Sequence, residues 1–175
     1  MLVGQNLAVA LMFIPLAITA SYMDVRYRRI PNKVVLITLI GGLAVNAFFG
    51  GWHGLLLSLA GGALAFALML IFHVFGTMGA GDVKLFAAIG AIFSSSLVPR
   101  AFLVVAITGG LLAICKMVYA GRARATMFRV FQFFYGLLPG QRVPRFELPD
   151  DPSYTLPYGV AICGGSFIAF LLFHA

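Results

Sequence analysis

The chain has 175 residues, 62% of them hydrophobic and only 10% charged, with five carboxylates and a net charge of +7. A soluble domain of this size cannot hide so much apolar surface, so composition excludes one and points to a polytopic membrane protein. The two cysteines, Cys115 and Cys163, lie in apolar runs and form no Cys-x-x-Cys pair, which argues against zinc or redox chemistry.

Residues 1–23, 34–81, 101–115 and 152–175 contain no Asp, Glu, Lys or Arg. A spanning helix needs about 20 largely apolar residues. The first predicted helix covers roughly 3–22. It has no positive n-region, so it reads as a retained span and not as a signal peptide. The run 34–81 is too long for one span, and Gly50-Gly51-Trp52-His53-Gly54 divides it into helices at about 34–49 and 55–75. A fourth helix is expected at 83–98, ended by Pro99, and a fifth at 101–120. A polar segment, 121–156, follows. Its phenylalanines alternate with arginines, as in a helix lying among headgroups or a linker hugging them. The sixth helix starts near Pro157 and ends near Phe173. The expected architecture is therefore all-α: one domain, 1–175, forming a six-transmembrane-helix bundle. Glycine pairs at 41–42, 61–62, 109–110 and 164–165 are expected to let these helices approach closely.

The basic residues orient the bundle. With both termini outside, the segments 23–33, 76–84 and 121–156 face the cytoplasm, and of the twelve Lys and Arg residues only Arg100 falls on the other side. Anionic headgroups then account for the positive charge, and nucleic acid is not an expected partner. This N-out, C-out arrangement also brings two isolated carboxylates, Asp24 and Asp82, to one face. Glu147, Asp150 and Asp151 cluster in the polar segment instead.

Ionisable residues at membrane depth are functional candidates by default. Two neighbouring carboxylates share a proton and titrate as a unit. Such a pair hydrolyses an amide when its ionised member draws a proton from water and its protonated member polarises the carbonyl. Asp82 closes the stretch Gly79-Ala80-Gly81-Asp82. Glycines there permit unusual backbone and close approach by an extended substrate. The structural alternatives are an N-cap for Asp82 and a headgroup-level ion pair for Asp24. Helix dipoles, taken alone, make Asp82 the starting base and Asp24 the acid, because Asp24 lies near a helix C-terminus. His53, His73 and His174 are too scattered for a metal site. Ser94, Ser95 and Ser96 have no histidine nearby, which disfavours a serine protease.

Three segments carry a family resemblance. Asp24-Val25-Arg26-Tyr27-Arg28-Arg29-Ile30-Pro31-Asn32 resembles the first-aspartate motif of type IV prepilin peptidases. Gly79-Ala80-Gly81-Asp82-Val83-Lys84-Leu85 resembles their Gly-x-Gly-Asp motif, and Pro157-Tyr158-Gly159 their Pro-aromatic-Gly. The resemblance implies an aspartyl endopeptidase of the bacterial inner membrane, without cofactor or metal, that removes the basic leader of prepilins or pseudopilins at the cytoplasmic face. Asp24 and Asp82 match the catalytic pair. Gly79, Gly81, Pro157, Tyr158 and Gly159 are candidates for substrate binding. Arg26, Lys33 and Lys84 are candidates to receive an acidic residue of the pilin. Larger members also N-methylate the product, using a region with two Cys-x-x-Cys pairs. The lack of such pairs implies the short form of the Flp/Tad branch, with peptidase activity alone. A rival reading from another class is a small channel or cation or proton transporter, with Asp24 and Asp82 as ligands or proton carriers.

Overall fold

The computed structural model describes residues 2–75, 78–119 and 158–174, and within them every regular element is a helix. α1 is Leu2–Tyr27, α2 is Asn32–Val74, α3 is Ala80–Tyr119 and α4 is Tyr158–His174. In hydrocarbon each backbone donor and acceptor must be satisfied within its own segment, so apolar sequence of this length has little alternative to helix. α1, α2 and α3 are each long and apolar enough to cross a membrane, and α4 is a shorter apolar helix. The expected polar segment 121–156 lies outside the described residues.

α2 and α3 are hairpins. Gly51 interrupts α2 with φ 57° and ψ −145°, and Ser94 interrupts α3 with φ 62° and ψ 170°. Packing shows that the chain turns back at both places. Gly42 faces Ile92 while Gly62 faces Ala91, yet in a straight helix Gly42 and Gly62 would stand about 30 Å apart. The Phe86 and Phe102 rings lie 6.2 Å apart across the Ser94 turn. The break near Gly51 falls where the glycine cluster placed it. The second break is expected at Pro99 and occurs at Ser94. Pro99 lies inside the outgoing arm, five residues beyond the break.

The Ser94 turn is held by side chains. The Nδ2 of buried Asn46 donates to the carbonyls of Gly42, Ala91 and Ile92 at 3.0, 3.0 and 3.1 Å. Its Oδ1 accepts from Ser94 Oγ and from Gln5 Nε2, both at 3.3 Å. Ser58 Oγ donates to the Ala91 carbonyl as well. A reversal inside an apolar bundle is thereby supplied with the partners that water would otherwise give.

The core lies between the α2 and α3 hairpins and extends to α1 and α4. Phe13, Phe86, Phe93, Leu85, Ile89 and Ile162 are fully buried there. Phe93 stacks on Phe170 of α4, and Phe13 of α1 meets Phe93 at 5.1 Å. The expected glycine pairs differ in how closely they pack: Gly41 and Gly42 are both tight, against Met12 and Ile92, whereas Gly109 makes only an ordinary contact with Ala161. Gly61 and Gly90 meet backbone to backbone, and Gly165 approaches Val105 of α3, whereas Gly110 and Gly164 face open space. Gln5, Gly51, Ser94 and Phe173 mark one end of the bundle. The end of α1, the start of α2, the start of α3 and the start of α4 meet at the other.

Candidate active site

That second end gathers the residues the sequence singles out. α1 continues beyond the expected Tyr22, so Asp24 stands on its last turn and not in the following loop. The Arg28 amide donates to the Asp24 carbonyl at 3.0 Å, and Arg28 takes φ 52°. This is a left-handed C-terminal cap, normally filled by glycine, and on a side-chain-bearing residue it costs about 1 kcal/mol. It turns the chain sharply into Pro31 and α2.

Asp82 stands in the first turn of α3, where it does not serve as the N-cap. The Asp82 and Val83 amides both donate to the Gly79 carbonyl, at 3.1 and 3.4 Å, which makes Gly79 the cap residue. The Gly79 amide in turn donates to Asp82 Oδ2 at 3.2 Å. A third-position carboxylate reaching back to the cap amide is half of a capping box. His73, near the end of α2, donates a ring N–H to the Met78 carbonyl at 2.8 Å and ties this turn to the preceding hairpin.

Asp24 is held from further away. Its Oδ2 accepts the Gly159 amide at 2.8 Å. This amide belongs to the first turn of α4, whose donors have no partner within the helix. A methyl group on Gly159 would stand 2.8 Å from Asp24 Oδ2 and 3.0 Å from its Cβ and Cγ. Only glycine lets the helix end come this close.

Asp24 and Asp82 are 8% and 9% exposed, and the charge of one acts on the other. The fold therefore brings two acids from distant parts of the chain into electrostatic reach. Arg28 acts on Asp24, Tyr158 lies within reach of Asp82, and Cys163 lies within reach of both. Cys163 is buried and bonded to Ser21, and both cysteines are free. Chemically this is a pair of desolvated carboxylates with fixed amide donors, suited to proton exchange with a water between them.

The other candidates divide. Gly79 is exposed and Gly81 partly so, and neither has the left-handed backbone that glycine permits. A methyl on Gly81 would meet only Ile30, at 3.7 Å, whereas one on Gly79 would meet Asp82 Oδ2 at 3.4 Å. Lys84 is exposed and donates to Asn32 Oδ1 at 3.3 Å, linking the two aspartate motifs. Arg26 is exposed over the ring of its neighbour Tyr27, and Lys33 is exposed at the start of α2. Tyr158 opens α4, while Pro157 lies outside the described residues. The contacts of Ile30, His73 and Gly159 with the two motifs were not legible beforehand. For Gly159 the available signal was a glycine at the start of a predicted helix.

A model of the family described as "Type IV leader peptidase family" matches residues 11–114, a stretch containing both aspartates. The chain is 28% identical over 172 residues to a prepilin leader peptidase/N-methyltransferase of Bacillus subtilis, covering 97% of this chain and 57% of that protein. It is 32% identical over 127 residues to a prepilin leader peptidase/N-methyltransferase of Legionella pneumophila, covering 69% of this chain and 44% of that one. It is 32% identical over 81 residues to the prepilin peptidase EppA of Methanococcus maripaludis, covering 46% of this chain and 21% of that one. The chain thus spans less than two thirds of the length of each of these relatives. No solved structure matches it.

Proposed function

The chain belongs to the type IV leader peptidase family, and from that membership we propose that it is an aspartyl endopeptidase that removes the leader of a prepilin or pseudopilin. The observation that carries this reading is the meeting of Asp24 and Asp82 at one end of the bundle, each buried and each bound through Oδ2 to a glycine amide. One carboxylate takes a proton from water as the oxygen adds to the scissile carbonyl, and the other gives its proton to the carbonyl oxygen. The first then passes its proton to the leaving amine, and the second regains its own as the C–N bond breaks. No covalent intermediate is needed.

The helical arms are read as six spans, with both termini outside and the aspartates at the cytoplasmic face of the inner membrane. The clustering of basic residues supports this orientation. The substrate's apolar helix would enter from the bilayer while its leader runs past Gly79 and Gly81. An acidic residue of the substrate would meet Lys84, Arg26 or Lys33. The transporter reading asks for acids along a path through the bundle, and the position of both acids at one end favours the peptidase.

Co-expression with a prepilin tests the reading, with leader removal followed by gel mobility. Maturation is expected to stop in Asp24→Asn and in Asp82→Asn, with both variants still inserted in the membrane. Undiminished maturation in either variant would refute the two-aspartate mechanism.

A further inference from the structure

Helix dipoles alone assign Asp82 as the base, because Asp24 sits at the carbonyl end of α1. The geometry reverses this. We infer that the first turn of α4, through the Gly159 amide, holds Asp24 as the ionised member of the pair and leaves the shared proton on Asp82. The inference rests on the catalytic reading of the two aspartates given above.

A dipole end acts through space on its last turn, whereas amide donors act in direct contact. Asp24 accepts the Gly159 amide of α4 at 2.8 Å and also feels Arg28. That amide lies at the positive end of α4, so its dipole opposes that of α1. Asp82 accepts from one amide, that of Gly79, at 3.2 Å. The other groups facing the pair are Tyr158 and Cys163 of α4, the latter hydrogen-bonded to Ser21 of α1. Lys84 is engaged with Asn32 Oδ1. A shorter contact donor and a nearby cation favour the anion at Asp24 over the anion at Asp82.

Gly159 is thus a positioning residue, and a role in substrate binding is not needed to explain it. An alanine at 159 would drive its methyl into the carboxylate it holds. Loss of the donor raises the proton affinity of Asp24. If Asp24 is the base, activity on acidification is lost at a higher pH. If Asp24 is the acid, the alkaline limb moves up instead.

The experiment is the pH profile of kcat/KM for cleavage of a purified prepilin. It compares the wild type, Gly159→Ala, and a protein carrying glycolic acid in place of Gly159. The ester deletes one N–H without adding an atom that could clash, so it serves even where alanine at 159 prevents folding. The acid limb is expected to rise by about one pH unit in the ester protein, which is about a tenfold loss below that limb. A rise of the alkaline limb, or an unchanged profile, overturns the assignment. Asp24→Asn and Asp82→Asn are run alongside. Activity in either would defeat the catalytic reading itself, whereas two inactive variants with an unmoved ester profile would defeat only the role of α4.

Discussion

A methyl group added at Gly81 meets Ile30 at 3.7 Å, an ordinary contact, whereas one added at Gly159 meets the Asp24 carboxylate at 2.8 Å. Two glycines of the family motifs therefore differ in what they do. Gly159 is fixed by packing against an acid, and Gly81 by space left beside one. Gly81→Ala is expected to leave the melting temperature in detergent unchanged while raising KM by about tenfold, the usual cost of one methyl group in a binding site. A matching loss of stability would show that Gly81 is a packing residue after all. Lys84 makes a different prediction, because it is exposed and its partner is a neutral amide. Lys84→Ala is expected to lower kcat/KM several-fold for a prepilin with an acidic residue after the cleavage site. A neutral variant of that substrate should be unaffected, since an exposed ion pair contributes about 1 kcal/mol or less. Equal losses on both substrates would remove the lysine from substrate recognition.

At the scale of elements, the two turns show what sequence reveals and what it hides. The Gly50-Gly51 cluster announced a break, and Gly51 uses a backbone region nearly closed to other residues, with φ 57° and ψ −145°. Gly50 lies in ordinary helix beside it with nothing nearby. Gly51→Ala is therefore expected to cost about 1–3 kcal/mol, and Gly50→Ala to be neutral within about 0.5 kcal/mol or slightly stabilising. Reversible unfolding in mixed micelles measures both. The Ser94 turn carried no such mark, and Pro99 was the more conspicuous breaker. Ser94 turns because Asn46 and Ser58, more than thirty residues earlier in the chain, bind the carbonyls exposed there. Such tertiary support is invisible to local propensity. Asn46→Leu is expected to destabilise by about 2 kcal/mol, since it strands buried carbonyls as well as removing donors. The helical setting of Asp24 was hidden for a different reason. The charges of Arg26, Arg28 and Arg29 suggested that α1 ended at Tyr22, yet the helix continues through them to Tyr27 and carries Asp24 on its final turn. The aspartates themselves were legible because a charge in so apolar a chain is conspicuous. Their helix partner was not, because nothing in Tyr158-Gly159-Val160 states which side chain its amides will meet.

The whole molecule has two unlike ends. One carries the α2 and α3 turns, with Trp52 75% exposed beside Gly51. The other carries the aspartates and, close by in the chain, Arg26, Arg28, Arg29, Lys33 and Lys84. If the basic end faces the cytoplasm, the site meets a substrate leader before the pilin helix leaves the membrane. If it faces outward, leader cleavage at this pair has no access to a newly made substrate. The orientation is thus the property on which the cellular role depends, and chemical labelling decides it. Cys115 is exposed and Cys163 buried, so Cys115→Ser supplies a background with no accessible thiol among the described residues. In that background a membrane-impermeant maleimide is expected to label Trp52→Cys in intact spheroplasts. Arg29→Cys should be labelled only after lysis. Two single substitutions, one at the α2 turn and one between α1 and α2, control each other, since a leaky preparation labels both and a sealed one labels one. Labelling of Arg29→Cys alone in sealed spheroplasts would invert the bundle and place the paired acids on the wrong side for leader removal.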